Sequence, residues 1–107
     1  MVEERRDRIR LESKFQADLI DTIKKELPGA IILKNDPEIN QGFPDLTILW
    51  EDRWAVLEVK RSAKASHQPN QDYYVHKLNA MSYSSFVYPE NMKEVIDGIQ
   101  RTFGTRR

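Results

Sequence analysis

A chain of 107 residues with 39% apolar and 32% charged side chains can build one hydrophobic core and not two. Two Trp, four Tyr and four Phe argue against disorder, and the absence of Cys excludes a disulfide framework, a thiolate zinc site and a cysteine nucleophile. Seventeen basic side chains balance seventeen acidic ones, so no global field draws the protein toward polyanions.

No apolar run approaches the ~18 residues of a membrane span. The opening Met1-Val2-Glu3-Glu4-Arg5-Arg6-Asp7-Arg8 lacks the apolar centre of a signal peptide. The expectation is a soluble cytoplasmic domain with no membrane partner. Its charge is unevenly spread, with basic clusters at Arg5–Arg10, at Lys60, Arg61 and Lys64, and at Arg101–Arg107. Clusters of this kind are ordinarily a solvated surface; beside an acidic pocket they become a basic rim.

The first element is a helix from about Asp7 to Leu27, with Ile9, Phe15, Leu19, Ile23 and Leu27 forming its apolar stripe. Leu27-Pro28-Gly29 ends it, since Pro cannot continue a helix and Gly suits the left-handed exit. Ala30–Lys34 has the length of a strand, and Asn35–Pro44, rich in Pro, Asn and Gly, reads as a loop. Leu46–Trp50 and Trp54–Lys60 form an antiparallel hairpin about the Glu51-Asp52-Arg53 turn. After a polar loop from Ser62 to Pro69, a helix runs from Asn70 to Met81, with Tyr74, Leu78 and Met81 on one face. Ser85–Tyr88 is a fourth strand, and Pro89 opens a last helix through Phe103. The order α-β-β-β-α-β plus a C-terminal helix is a single α/β domain on a mixed sheet, spanning residues 1–107 with basic ends.

Three carboxyl groups and one amine stand where folding alone would not place them. Glu12 is centred in the first helix's stripe, between Phe15 at about −60° and Leu27 at about +60°. A carboxylate facing a core is costly unless paired or bound to metal; overhang of the helix start would instead leave it in water. Glu26, at about −40°, is the substitute. Asp45 precedes an apolar strand, where a turn aspartate is commonplace. Glu58 and Lys60, two apart, share one face of the third strand, which on a one-sided sheet is a solvent-facing pair. Taken together, Glu12, Asp45, Glu58 and Lys60 give oxygen ligands for Mg²⁺, with Mn²⁺ as a substitute, and an ammonium to stabilise phosphoryl charge. That set is sufficient for phosphodiester hydrolysis.

Pro44-Asp45, twelve intervening residues, then Glu58-Val59-Lys60 resembles the PD-(D/E)XK nuclease superfamily, and the order of elements resembles its restriction-endonuclease-like core over nearly the whole chain. Gly42-Phe43-Pro44-Asp45 and Gln68-Pro69-Asn70-Gln71, followed by Tyr73-Tyr74, further resemble the VRR-NUC nucleases, which are close to Holliday-junction resolvases. Gln68 departs from that pattern, where Ser is usual. The resemblance implies a metal-dependent endonuclease for branched DNA, as suits a bacterial cell or phage-infected host. It implies Asp45, Glu58 and the Val59 carbonyl as metal ligands, with Glu12 acting directly or through water. Gln71 would orient water or phosphate beside Lys60, and Tyr74 would pack beneath the site.

Arg8, Arg61, Lys64 and His67 are the candidate DNA contacts. His67 and His76 have no zinc-like spacing. Trp50, Trp54, Tyr83 and Tyr88 read as core aromatics rather than a base-stacking platform. A homodimer is expected, because one small neutral domain grips little DNA and a two-fold pair matches a branched junction. Its contact region is assigned to the first helix and the Arg-rich ends. The opposing reading is a catalytically silent nucleic-acid-binding or nuclease-partner subunit that retains the fold.

Overall fold

Helix α1, Val2–Glu26, packs its apolar stripe onto one face of a four-stranded sheet. This computed structural model describes residues 2–104, with side chains from residue 10 onward. The strands are β1 (Ile31–Lys34), β2 (Leu46–Trp50), β3 (Arg53–Val59) and β4 (Tyr83–Val87), lying side by side in chain order. β1–β2 and β2–β3 are antiparallel, whereas β3–β4 is parallel, so the sheet is mixed as expected. Helix α2 (Pro69–Met81) makes the crossover that a parallel pair requires. A 3₁₀ turn, Pro89–Asn91, precedes helix α3, Met92–Phe103, so Pro89 opens a turn rather than the helix itself.

Phe15, Leu19, Ile23 and Leu27 meet Leu46, Ile48, Ala55, Leu57, Val59 and Val87 from the sheet, and Val95, Ile96, Ile99 and Phe103 from α3. Burial of each large side chain is worth roughly 1.5–3 kcal/mol, which is what holds α1 and α3 on this face. Trp50 stacks on Phe103 with ring centroids 6.1 Å apart, and its indole N–H donates to the Pro28 carbonyl, fixing the exit of α1.

The opposite face is covered only in part. α2 lies over β3 and β4 and contributes no fully buried residue, and Met81 is 63% exposed rather than part of an inward stripe. Ile31, Leu33 and Leu49, aligned across β1 and β2 on the uncovered half, remain exposed. The strand Arg53–Val59 is therefore buried on both sides over its second half, and Glu58 and Lys60 are not solvent-facing. α1 begins at Val2 rather than Asp7, and β4 at Tyr83 rather than Ser85. Tyr88 lies just beyond β4. Among the described residues no helix is long and apolar enough to cross a membrane.

Candidate active site

The hairpin register brings the acidic residues together. Leu46 faces Leu57, so Asp45, one residue earlier, stands across from Glu58, one residue later. Asp45 is held there by its own carboxylate, whose Oδ2 accepts the Val59 N–H at 2.8 Å. A residue's N–H and C=O point to the same side of a strand, so the Val59 carbonyl also faces Asp45.

The loop before Asp45 is fastened at both ends. The Asn35 N–H donates to the Asp45 carbonyl, and its side-chain amide donates to the Pro44 carbonyl and the Thr47 hydroxyl, each at 2.9 Å. Gly42 has φ +89°, and a Cβ there would collide with the Asn70 side chain, whose amide donates to the Gln41 carbonyl. Phe43 meets Tyr74 edge to face at 5.3 Å, and Pro44 is fully buried. The Gly-Phe-Pro approach thus docks on the first turns of α2, with Tyr74 supporting the loop that delivers Asp45. The role of Asn35 escaped the sequence reading because an Asn in a loop reads as a generic turn former, and that of Asn70 because a residue at a helix start gives no sign of the loop it fastens.

Glu58 and Lys60 are 4% and 9% exposed, which leaves water little part in solvating either charge. Their charged atoms lie 3.8 Å apart. Gln71 joins them: its Nε2 donates to Glu58 Oε2 at 2.9 Å, and its Oε1 accepts from Lys60 Nζ at 2.9 Å. The same Oε1 accepts the Gln68 N–H, closing half of a capping box at the start of α2. Gln71 therefore has both the local role of a helix cap and a place in the site.

Burial pushes the Glu58 carboxyl up from 4.5 to about 8, with the Asp45 and Glu12 carboxylates adding to the rise and Lys60 opposing it. The Asp45 carboxyl is also raised, first by burial, against the lowering effect of the Val59 N–H and Lys60. Glu12 is half-buried and raised by burial and by Asp45, against Lys60 and Arg61. Its electrostatic coupling to Asp45, Glu58 and Lys60 puts Glu12, one turn before the buried Phe15, at the sheet end that carries the other three. Glu26, at the far end of α1, instead accepts from the Gln100 side chain, so the helix acid of the cluster is Glu12.

Among the described residues, no group of three or more His, Cys, Asp or Glu side chains is already arranged to hold a metal ion. Mg²⁺ does not require such a cage, since it keeps several waters and is held by one or two carboxylates. Asp45 and Glu58, facing each other across the hairpin with raised pKa values, match that demand.

Arg61 follows Lys60 and is half-buried, while Lys64 is exposed on the loop before α2. His67 stacks on Phe86, with centroids 3.7 Å apart, and its Nδ1 lies 3.0 Å from Asp72 Oδ1. The side chains of Arg5, Arg6 and Arg8, and residues Arg106 and Arg107, lie outside the described residues. No protein-family model matches this chain.

Proposed function

We propose that the protein is a divalent-metal-dependent endodeoxyribonuclease of the PD-(D/E)XK kind, with a restriction-endonuclease-like core and a preference for branched DNA. The observation that carries this reading is the convergence of Asp45, Glu58 and Lys60 at one buried end of a β-hairpin, joined by Gln71. Three acids raised by burial, two of them also by a neighbouring carboxylate, are poorly placed for a purely structural network, and a cation would relieve them.

Asp45 and Glu58 would hold Mg²⁺ or Mn²⁺, with the Val59 carbonyl as a further oxygen and Glu12 joining directly or through water. Bound there, such a cation would supply Lewis-acid polarisation of a phosphoryl oxygen and a more acidic water. Lys60 directs its ammonium at the charge that develops on phosphate, and Gln71 fixes the orientation of both Lys60 and Glu58. Arg61, Lys64 and His67 form the basic approach for the DNA backbone, and Arg8, whose side chain lies outside the described residues, is the further candidate contact.

The test is cleavage of labelled four-way junctions, flaps, linear duplex, single strands and RNA with Mg²⁺ or Mn²⁺. Asp45→Asn and Glu58→Gln are expected to abolish cutting while junction binding survives or tightens, since removing negative charge near phosphates does not weaken binding. If all substrates bind but none is cut, the silent-subunit reading replaces this one.

The working form in this reading is a homodimer. The Cα radius of gyration of 13.7 Å limits one copy to about one turn of duplex, and the uncovered Ile31, Leu33 and Leu49, on the sheet face opposite the α1 contact expected from the sequence, gain from burial against a second copy. A sedimentation mass of one chain at concentrations where junctions are cut in pairs would refute the dimer and leave the chemistry intact.

A further inference from the structure

Beside the acidic site lies a second feature that the hydrolytic chemistry does not use. A cleft of about 460 Å³ opens between α2, β4 and the loop before α2, lined by His67, Asp72, His76, Asn79, Ser84 and Phe86 among others. Its volume is within the range of small-molecule sites. One wall is flat: the His67 and Phe86 rings are stacked with planes 13° apart, and the His67 side chain is 34% exposed, so its outer surface is accessible.

The floor is polar and incompletely paired. Ser84 lines the cleft and is 5% exposed; its hydroxyl is turned away from solvent and has no hydrogen-bond partner among the described residues, so rotation about its Cα–Cβ bond is needed to bring it to a ligand. A buried hydroxyl left unsatisfied is costly, and native structures rarely keep one without a use. Asn79 Oδ1 accepts the Ser84 N–H at 3.0 Å, which turns that amide toward the strand end and commits its oxygen, but not its Nδ2 donors, to the sheet. Asp72 adds a carboxylate that also holds His67.

We propose that this cleft receives a single unstacked nucleobase of the nucleic acid cut at the acidic site. A flat π-stack lining the same cleft as a short set of donors and acceptors suits a planar heterocycle with a hydrogen-bonding edge. The neighbourhood supplies the rest of the nucleotide. Phe86 is the strand partner of Glu58, about 4.8 Å away across the parallel pair, and both side chains rise from the same sheet face. Gln71 and Asp72 are consecutive on α2, one holding Glu58 and Lys60, the other holding His67. A phosphate at Lys60 therefore leaves its own or the adjoining base at the mouth of the cleft. A base enters such a cleft most readily when it is already unpaired, which favours nucleotides at branch points, flaps or mismatches over continuous duplex. The inference rests on the nuclease reading for the origin of the nucleotide, but the cleft can be tested separately.

Backbone-amide and His-ring NMR spectra of the intact protein are recorded with 2′-deoxynucleoside 5′-monophosphates, with deoxyribose 5-phosphate and with inorganic phosphate. The mononucleotides are expected to shift Asn79 and Ser84, which the two base-free probes leave unmoved, and to shift His67, which also lies on the phosphate approach, further than those probes do. Ser84→Ala and His67→Ala are each expected to weaken mononucleotide binding about tenfold, the scale of one stacking or hydrogen-bonding contact. Ser84→Ala separates binding from packing, because deleting an unsatisfied hydroxyl leaves thermal stability unchanged or raised. Equal responses to the base-free probes, or unaltered binding by Ser84→Ala, would overturn the proposal. In cleavage assays, removing the base from one nucleotide next to the cut is expected to slow wild-type cutting about tenfold. Cutting that is indifferent to base removal at every position refutes the cleft and spares the nuclease. Base-dependent binding without cutting of any DNA refutes the nuclease and spares the cleft.

Discussion

Gln71 shows how one neutral side chain can organise two charged ones. Its amide is polar at both ends, so it can donate to Glu58 and accept from Lys60 at once, which neither a carboxylate nor an ammonium could do. Gln71→Ala is expected to lower the cleavage rate about 10- to 100-fold and raise the Mg²⁺ concentration needed, as loss of an outer contact to a metal ligand commonly does. Lys60→Ala is expected to remove activity altogether with little change in metal affinity. A Lys60→Ala protein that cuts at the normal rate would sink the proposed role of the ammonium. Asp45, Glu58 and Lys60 were legible in the sequence because charged residues interrupt or abut apolar strands. The resemblance alone put Gln71 beside Lys60; its bond to Glu58 was not legible, because a residue in the first turn of a helix gives no sign of which strand lies beneath it.

Among the elements, the loop between β1 and β2 is the one whose geometry matters most to the site. It delivers Asp45, and Asn35, Gly42, Phe43 and Pro44 all constrain where it does so. Gly42→Ala meets two penalties, a positive φ and a collision with Asn70, and is expected to destabilise the fold by about 1–3 kcal/mol. Because the displaced loop carries Asp45, activity should fall more than the loss of folded protein explains; thermal melting beside cleavage rates measured below the melting temperature checks this. Periodicity located both flanking helices and the hairpin, since their apolar spacing is a local property. It misplaced the start of β4, where Tyr83 and Ser84 lack the apolar density of a strand, and β4 is fixed instead by parallel pairing with β3. It also gave α2 an inward stripe, whereas a helix covering half a sheet face leaves Met81 exposed.

Across the whole molecule, the acidic end of the sheet ties stability to pH and to metal. Glu58 titrates near 4.5 when unfolded and at about 8 when folded, with Asp45 and Glu12 also raised. Between those values the folded protein holds a proton that the unfolded chain has released. Stability therefore falls as pH rises, its contribution being complete below about pH 4.5 and lost through about pH 8. The metal-free protein is expected to lose on the order of 10 °C in melting temperature between pH 5.5 and 8.5. Glu58→Gln should flatten that slope, because a neutral amide keeps the burial and removes the titration. Millimolar Mg²⁺ should restore the lost stability at pH 8.5 and have little effect at pH 5.5, where protons already occupy the carboxylates. Calorimetric scans at the two pH values, with and without Mg²⁺, decide it. A melting temperature that rises with pH in the metal-free protein would mean that Lys60 outweighs burial and the neighbouring acids at Glu58, and that the cluster is a satisfied ion pair with no need of a cation.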